Sequence, residues 1–93
     1  MACAATGTGE FIMRVALAAD VRARVQAGQS VEQASTDALG ALRERFGPDR
    51  AGLIALGADG SLIAPFDTAG MGRAWKRASD PTTTVRVWPE DDL

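Results

Sequence analysis

Histidine is absent from the 93 residues, tyrosine is absent too, and cysteine occurs once. Without imidazole, Ser-His-Asp and Cys-His arrangements are excluded, and so is any metal site that needs a histidine ligand. Acid and base work would fall to carboxylates or to an amine. The single thiol, Cys3, forms no internal disulfide and cannot build a zinc or iron–sulfur cage, so a reducing compartment, the cytoplasm, is expected and no metal or cofactor is. Positive charge is scarce: ten Lys and Arg stand against twelve Asp and Glu, a formal net charge of −2. That leaves no basic stripe for a nucleic-acid partner. No apolar run approaches the ~20 residues that span a bilayer, and the opening residues lack the basic region and apolar run of a signal peptide. No membrane partner is expected.

What is present fits one small globular domain, with 46% hydrophobic and 24% charged residues. A domain of this size buries roughly 60–70% of the surface its unfolded chain exposes, so the core is thin and a partner surface is useful. Residues 2–6 are small and read as a buried strand ending in the tight turn Thr6-Gly7-Thr8-Gly9. Residues 10–27, free of proline and glycine, predict one helix with Phe11, Val15, Ala18, Ala19 and Val25 at helical spacing. Ile12, Met13, Leu17 and Val21 fall on other faces, which predicts first turns covered by more than one layer.

Ser30 and Gln33 form a capping-box pattern that starts a second helix, whose apolar stripe is Val31, Ala34, Ala38, Leu42 and Phe46 and whose end is Gly47-Pro48. Residues 52–56 and 61–66 are short apolar runs around Ala58-Asp59-Gly60, the pattern of a β-hairpin. Pro65 belongs near a strand end or on an edge, because it has no N–H to give a ladder. Residues 67–82 predict loop, with a helical turn over 71–75, and residues 83–88 predict a last strand before the acidic end. Together these make an α+β layer, two helices packed on one face of a mostly antiparallel sheet. Residues 52–56 are apolar on both sides of the pleat, which predicts a further layer on the other sheet face.

The stretch with most chemistry is Thr6-Gly7-Thr8-Gly9-Glu10. Glycines flanking a threonine before a helix expose backbone N–H groups to an anion or a developing oxyanion. A plain strand-to-helix turn has the same pattern. No dinucleotide fingerprint is present, since Ile12 occupies the third glycine position, and no P-loop occurs.

Taken with residues 51–56, the turn Asp59-Gly60 and the run Pro65-Phe66-Asp67-Thr68-Ala69-Gly70-Met71-Gly72-Arg73-Ala74-Trp75, this motif resembles the C-terminal portion of the β-subunit of the isoaspartyl peptidase/L-asparaginase family. These are plant-type asparaginases, N-terminal-nucleophile hydrolases related to aspartylglucosaminidase, and the resemblance spans nearly the whole chain, read as a single partial domain over residues 1–93. The glutamate-ended motif favours the isoaspartyl peptidase branch. Asp67 stands where the family often has asparagine, and Gly72 where it often has an aromatic residue. The resemblance implies part of an αββα sandwich, an autocleaved precursor, and hydrolysis of the side-chain amide of asparagine or of a β-aspartyl dipeptide. It also implies that the Thr6 hydroxyl and the Gly7 N–H form the oxyanion hole and that the Gly9 carbonyl accepts from the substrate's α-amino group.

The family's nucleophile threonine, its second active-site threonine and its Arg/Asp pair lie upstream of this motif, so the expectation is a fragment or truncated homologue that is inactive alone. Its expected partners are the missing upstream subunit or a second copy. Other candidate sets are Cys3 as an N-terminal nucleophile, Asp67 with Asp80 or Glu10 with Asp20 as carboxylate pairs, and Arg73, Lys76 and Arg77 as a phosphate patch. Each has a plainer reading as a buried thiol, solvated acids and a basic turn. Trp75 and Trp88 read as core or interface anchors. The alternative function is a non-catalytic interaction domain that associates through an exposed sheet face, and a third is an anion-binding module built on the glycine turn.

Overall fold

The first strand, β1, runs over Ala2–Gly7 and pairs antiparallel with β2, Ala51–Leu56, in the register Ala2↔Leu56 to Gly7↔Ala51. The computed structural model describes residues 1–91. Between the two strands lie α1 (Gly9–Val15), α2 (Leu17–Gln26) and α3 (Val31–Phe46); β3 (Leu62–Ile63) completes a three-stranded sheet of order β1-β2-β3. A separate two-stranded ribbon joins β4 (Arg73–Trp75) to β5 (Thr84–Arg86). The architecture is therefore α+β, with helices packed on antiparallel strands, as the sequence pattern predicts and in keeping with a piece of an αββα sandwich.

The core forms where α2 and α3 cover one face of this sheet. Leu17 and Val21 of α2, Ala34, Ala38, Leu39 and Leu42 of α3, and Ala51, Leu53 and Ala55 of β2 make up one buried cluster, with Cys3 and Ala5 of β1 against it. The small residues of α3 allow the helix to lie close to the strands, and burial of the branched ones supplies most of the driving force. Ser30 caps α3 as expected, its Oγ accepting the Gln33 N–H at 3.1 Å. The reciprocal half of the box does not form. Gln33 Nε2 instead donates to Asp37 Oδ1 at 2.7 Å, and Gln29 Nε2 donates to Asp37 Oδ2 at 3.0 Å, tying the α2–α3 connection to α3.

Three elements differ from expectation. The predicted helix over residues 10–27 is broken at Ala16, whose left-handed backbone (φ 49, ψ 58) ends α1 and starts α2. A non-glycine residue there costs about 1–2 kcal/mol, which burial of Leu17 and Val21 outweighs. The break resets the helical phase, so Leu17 and Val21 enter the core instead of the predicted stripe, while α1 has no buried residue and Met13 lies in solvent. Secondly, residues 71–75 hold the extended β4 rather than a helical turn, because Met71 N–H reaches the Val87 carbonyl at 2.8 Å and opens the ladder to β5. Thirdly, the last strand joins this ribbon and not the main sheet.

Within the hairpin, Leu62 and Ile63 pair as strand and residues 64–67 run on beside β2 through the Pro65 carbonyl, which accepts the Leu53 N–H at 2.9 Å. Pro65 thus sits where a ladder needs only an acceptor. Ile54 and Leu56, on the sheet face away from the helices, are 52% and 48% exposed. On that face Met71 lies over Gly52, while among the described residues no helix covers Ile54 and Leu56.

Candidate functional site

The Thr6–Gly9 turn is held from one side by the backbone of Arg50 and Ala51. Thr8 N–H donates to the Arg50 carbonyl at 2.8 Å, and Gly7 pairs with Ala51. Gly7 has φ +131, and a Cβ built there would strike the Arg50 carbonyl oxygen and lie 2.7 Å from Ala51 Cα. Only glycine fits this position. Gly9 is different: a Cβ there would meet nothing within 4 Å, so its bareness leaves open space in front of the turn. Thr8 is the N-cap of α1 by its backbone alone, its carbonyl accepting from Phe11 and Ile12 at 3.1 and 3.2 Å with no side-chain cap bond.

The register decides where the donors point. Hydrogen-bonded pairs of an antiparallel ladder recur every second residue, so the Thr8–Arg50 bond places Thr6, Ala4 and Ala2 in bonded pairs with β2. The N–H and C=O of Gly7, Ala5 and Cys3 then face the open edge of β1. Because Cys3 and Ala5 pack on the core, the side chain of Thr6 stands on the opposite, helix-free face. Thr6 and Gly7 are both exposed at the end of β1, the Thr6 side chain on the helix-free face and the Gly7 N–H at the open edge.

Asp67, at a position where the resemblance leads one to expect asparagine, underpins this corner. Its Oδ1 accepts the Arg50 N–H at 3.1 Å and the Ala51 N–H at 2.9 Å, fixing the two residues against which Gly7 packs. Its Oδ2 is buried with no partner among the described residues. The signal for this role was the family's usual asparagine at the position, whose side-chain oxygen can accept the same two bonds. Phe11 and Phe46 stack with centroids 4.7 Å apart, and Arg50 lies over Phe11 at 4.7 Å while its Nε donates to the Phe46 carbonyl at 3.0 Å. This stack clamps the start of α1, and so the far side of the turn, to the end of α3.

Local contacts engage members of the other residue sets. Asp80 accepts from the Arg77 N–H at 2.9 Å, and Asp20 pairs with Arg24 at 3.1 Å, so each acid has its own local partner. Arg73, Lys76 and Arg77 line one groove, but Arg73 is buried and Arg77 Nη2 donates to the Gly60 carbonyl at 3.0 Å. Cys3 is half-buried in the middle of a strand hydrogen-bonded to β2, and burial raises its thiol pKa, which lowers its thiolate fraction. Trp75 is half-buried and Trp88 is exposed, so neither anchors the helix–sheet core. Among the described residues no group of three His, Cys, Asp or Glu gathers as a metal site, and no helix is long and apolar enough to cross a membrane.

The profile of the asparaginase family matches residues 1–86, so the chain belongs to that family. It is 36% identical over 89 residues to the isoaspartyl peptidase of Escherichia coli K12, an overlap that takes in 90% of this chain and 26% of that protein. The plant-type L-asparaginase of Pyrobaculum calidifontis is 33% identical over 79 residues, 85% of this chain and 26% of that one. The isoaspartyl peptidase of Salmonella typhimurium is 35% identical over 89 residues, 90% of this chain and 27% of its own length. The chain thus spans about a quarter of the length of these relatives.

Proposed function

We propose that this chain carries the oxyanion-stabilising part of an amidohydrolase site that acts on the side-chain amide of asparagine or on β-aspartyl dipeptides. The observation that carries the reading is the corner at the end of β1: Gly7 N–H turned to the open strand edge, Thr6 exposed beside it, and both immobilised through Arg50, Ala51 and Asp67. Donors fixed before reaction stabilise negative charge without reorganisation, and each is typically worth ~10²–10³ in rate. Open space in front of Gly9 admits a substrate group to its carbonyl.

The corner supplies donors and no nucleophile with a base beside it. Catalysis therefore needs a segment beyond these 93 residues, a reading supported by the quarter-length overlap with the isoaspartyl peptidases. The chain alone is inactive. The test is complementation, in which the chain is joined to the preceding part of a relative and assayed for hydrolysis of asparagine and of a β-aspartyl dipeptide. Turnover that falls on the order of 10²-fold in kcat for Thr6→Ala supports the assignment. An assembled complex with no turnover refutes the enzyme reading, and an unchanged kcat leaves Thr6 as a turn residue. The exposed Ile54 and Leu56 favour a second reading, a non-catalytic interaction domain, which the same complex supports only by assembling without turnover.

A further inference from the structure

Asparagine is absent from the chain, and Asp59 is the one aspartate followed by glycine. That pair can react with itself. A following residue without Cβ lets its backbone nitrogen approach the aspartyl side chain, so the Gly60 nitrogen can attack Asp59 Cγ. The N–Cγ bond forms, the Gly60 N–H proton leaves with the carboxyl hydroxyl as water, and a five-membered succinimide results. Solvent water then adds to one of the two imide carbonyls and breaks its bond to nitrogen, which restores aspartate or leaves an isoaspartyl link through the side-chain carbon. The other aspartates are placed less well. Asp20 and Asp37 precede N–H groups inside α2 and α3, Asp80 precedes Pro81, which has no N–H to lose, and the rest precede residues that carry a Cβ.

The hairpin turn both displays this pair and restrains it. Asp59, Gly60 and Ser61 are all exposed, so water reaches the bond. Yet each reacting group is engaged. The Gly60 N–H donates to the Gly57 carbonyl at 3.0 Å, while Asp59 Oδ1 accepts the Ser61 hydroxyl at 2.6 Å and the Ser61 N–H at 2.9 Å. The hydroxyl and, after it, the N–H hold Asp59 below the usual carboxylate range. A carboxylate anion is a poor electrophile, so ring closure has to pass through the neutral acid and give up this stabilisation. Arg77 adds a further restraint, its Nη2 donating to the Gly60 carbonyl at 3.0 Å.

We propose that Asp59 is a site of isoaspartate formation and that Ser61 slows the reaction by engaging its carboxylate. Gly57 N–H closes the hairpin on the Ser61 carbonyl at 2.8 Å, beside the pairs Leu56↔Leu62 and Ala55↔Ile63. Isoaspartate adds one backbone atom between Gly57 and Ser61, which strains that closure and loosens β3 from β2. The turn lies at the opposite end of β2 from the Gly7 corner, and the reaction does not depend on the hydrolytic reading.

The test incubates the 93-residue chain, its Ser61→Ala variant and end-capped peptides of residues 56–62 with and without that change in heavy-oxygen water at mildly acidic pH. Electron-transfer fragmentation then distinguishes aspartate from isoaspartate at each position. Isoaspartate should appear at residue 59 before any other aspartate, and it should carry one heavy oxygen, since the ring is opened by solvent. The folded chain should react about 10-fold more slowly than the unaltered peptide, because both reacting groups must first leave their partners. Ser61→Ala should speed the folded chain about 5-fold, the effect of one lost hydrogen bond, and should change the peptide by less than about 2-fold. If that variant does not fold, the unaltered chain against the unaltered peptide decides. No isoaspartate at residue 59, its earlier appearance elsewhere, or a product without heavy oxygen overturns the site. Equal rates in chain and peptide, or a Ser61→Ala effect that is nil or the same in both, overturns the restraint.

Discussion

Replacing Gly7 by alanine places a methyl group where the β1–β2 register has no room for one. The φ of +131 is a region that side chains rarely adopt, at a cost of about 1–3 kcal/mol. The new Cβ also meets the Arg50 carbonyl and Ala51 Cα, which are backbone atoms of a buried strand and cannot rotate away as a flexible side chain would. Relief requires β1 to shift from β2, which weakens the Thr8–Arg50 bond and the packing of Cys3 and Ala5. Together these set the loss at ~3 kcal/mol, against a total stability of roughly 5–15 kcal/mol for a small domain. With a urea m-value of about 1–1.5 kcal/mol per molar, the midpoint should fall by about 2–3 M. Gly9→Ala is the control, with positive space around the Cβ and a helix-compatible position, and its midpoint should stay within ~0.5 M of the unaltered chain. Equal midpoints for the two variants would show that β1 does not hold the turn as described.

Removing the Asp67 carboxylate with Asp67→Ala should cost about 2 kcal/mol, because the Arg50 and Ala51 N–H groups lose their acceptor, whereas Asp67→Asn, which keeps an oxygen there, should cost under ~1 kcal/mol; thermal melts of both check this, and equal losses refute the acceptor role. Asp59 is held below the usual carboxylate range by the Ser61 hydroxyl and N–H, so the stability it contributes is present above its ordinary pKa and lost as the pH falls through its lowered one. Asp59→Asn should therefore flatten the dependence of Tm on pH below about 4, and an unchanged slope refutes the assignment. The chain alone should self-associate through the face bearing Ile54 and Leu56 and should not hydrolyse asparagine. Sedimentation as a monomer at tens of micromolar contradicts the first expectation, and reproducible turnover contradicts the second.

The candidate corner was partly legible. The paired glycines, the threonines and the following helix announce a turn with exposed backbone, because glycine spacing and helix onset are local properties. Which glycine is sterically required was not legible. Gly7 and Gly9 look alike in sequence, and they differ because Gly7 alone lies against residues more than forty positions away, Arg50 and Ala51. Asp67 reads as a loop acid until its partners sixteen and seventeen residues back are seen.

What the sequence by itself determined is what short-range chemistry controls: the strand before the glycine turn, the Ser30 cap and apolar stripe of α3, the hairpin turn at Asp59-Gly60, the α+β class, and the lack of any histidine-based site. Tertiary structure decided the rest. Alanine favours a continuous helix, yet Ala16 breaks one because the bend lets Leu17 and Val21 reach a sheet that local propensity does not register. Residues 71–75 become strand because residues 84–88 offer them a ladder and Arg73 a carbonyl and a ring to lie against. In both places, contacts between distant residues outweigh local preferences of about a kilocalorie per mole, and those preferences are all that a sequence window contains.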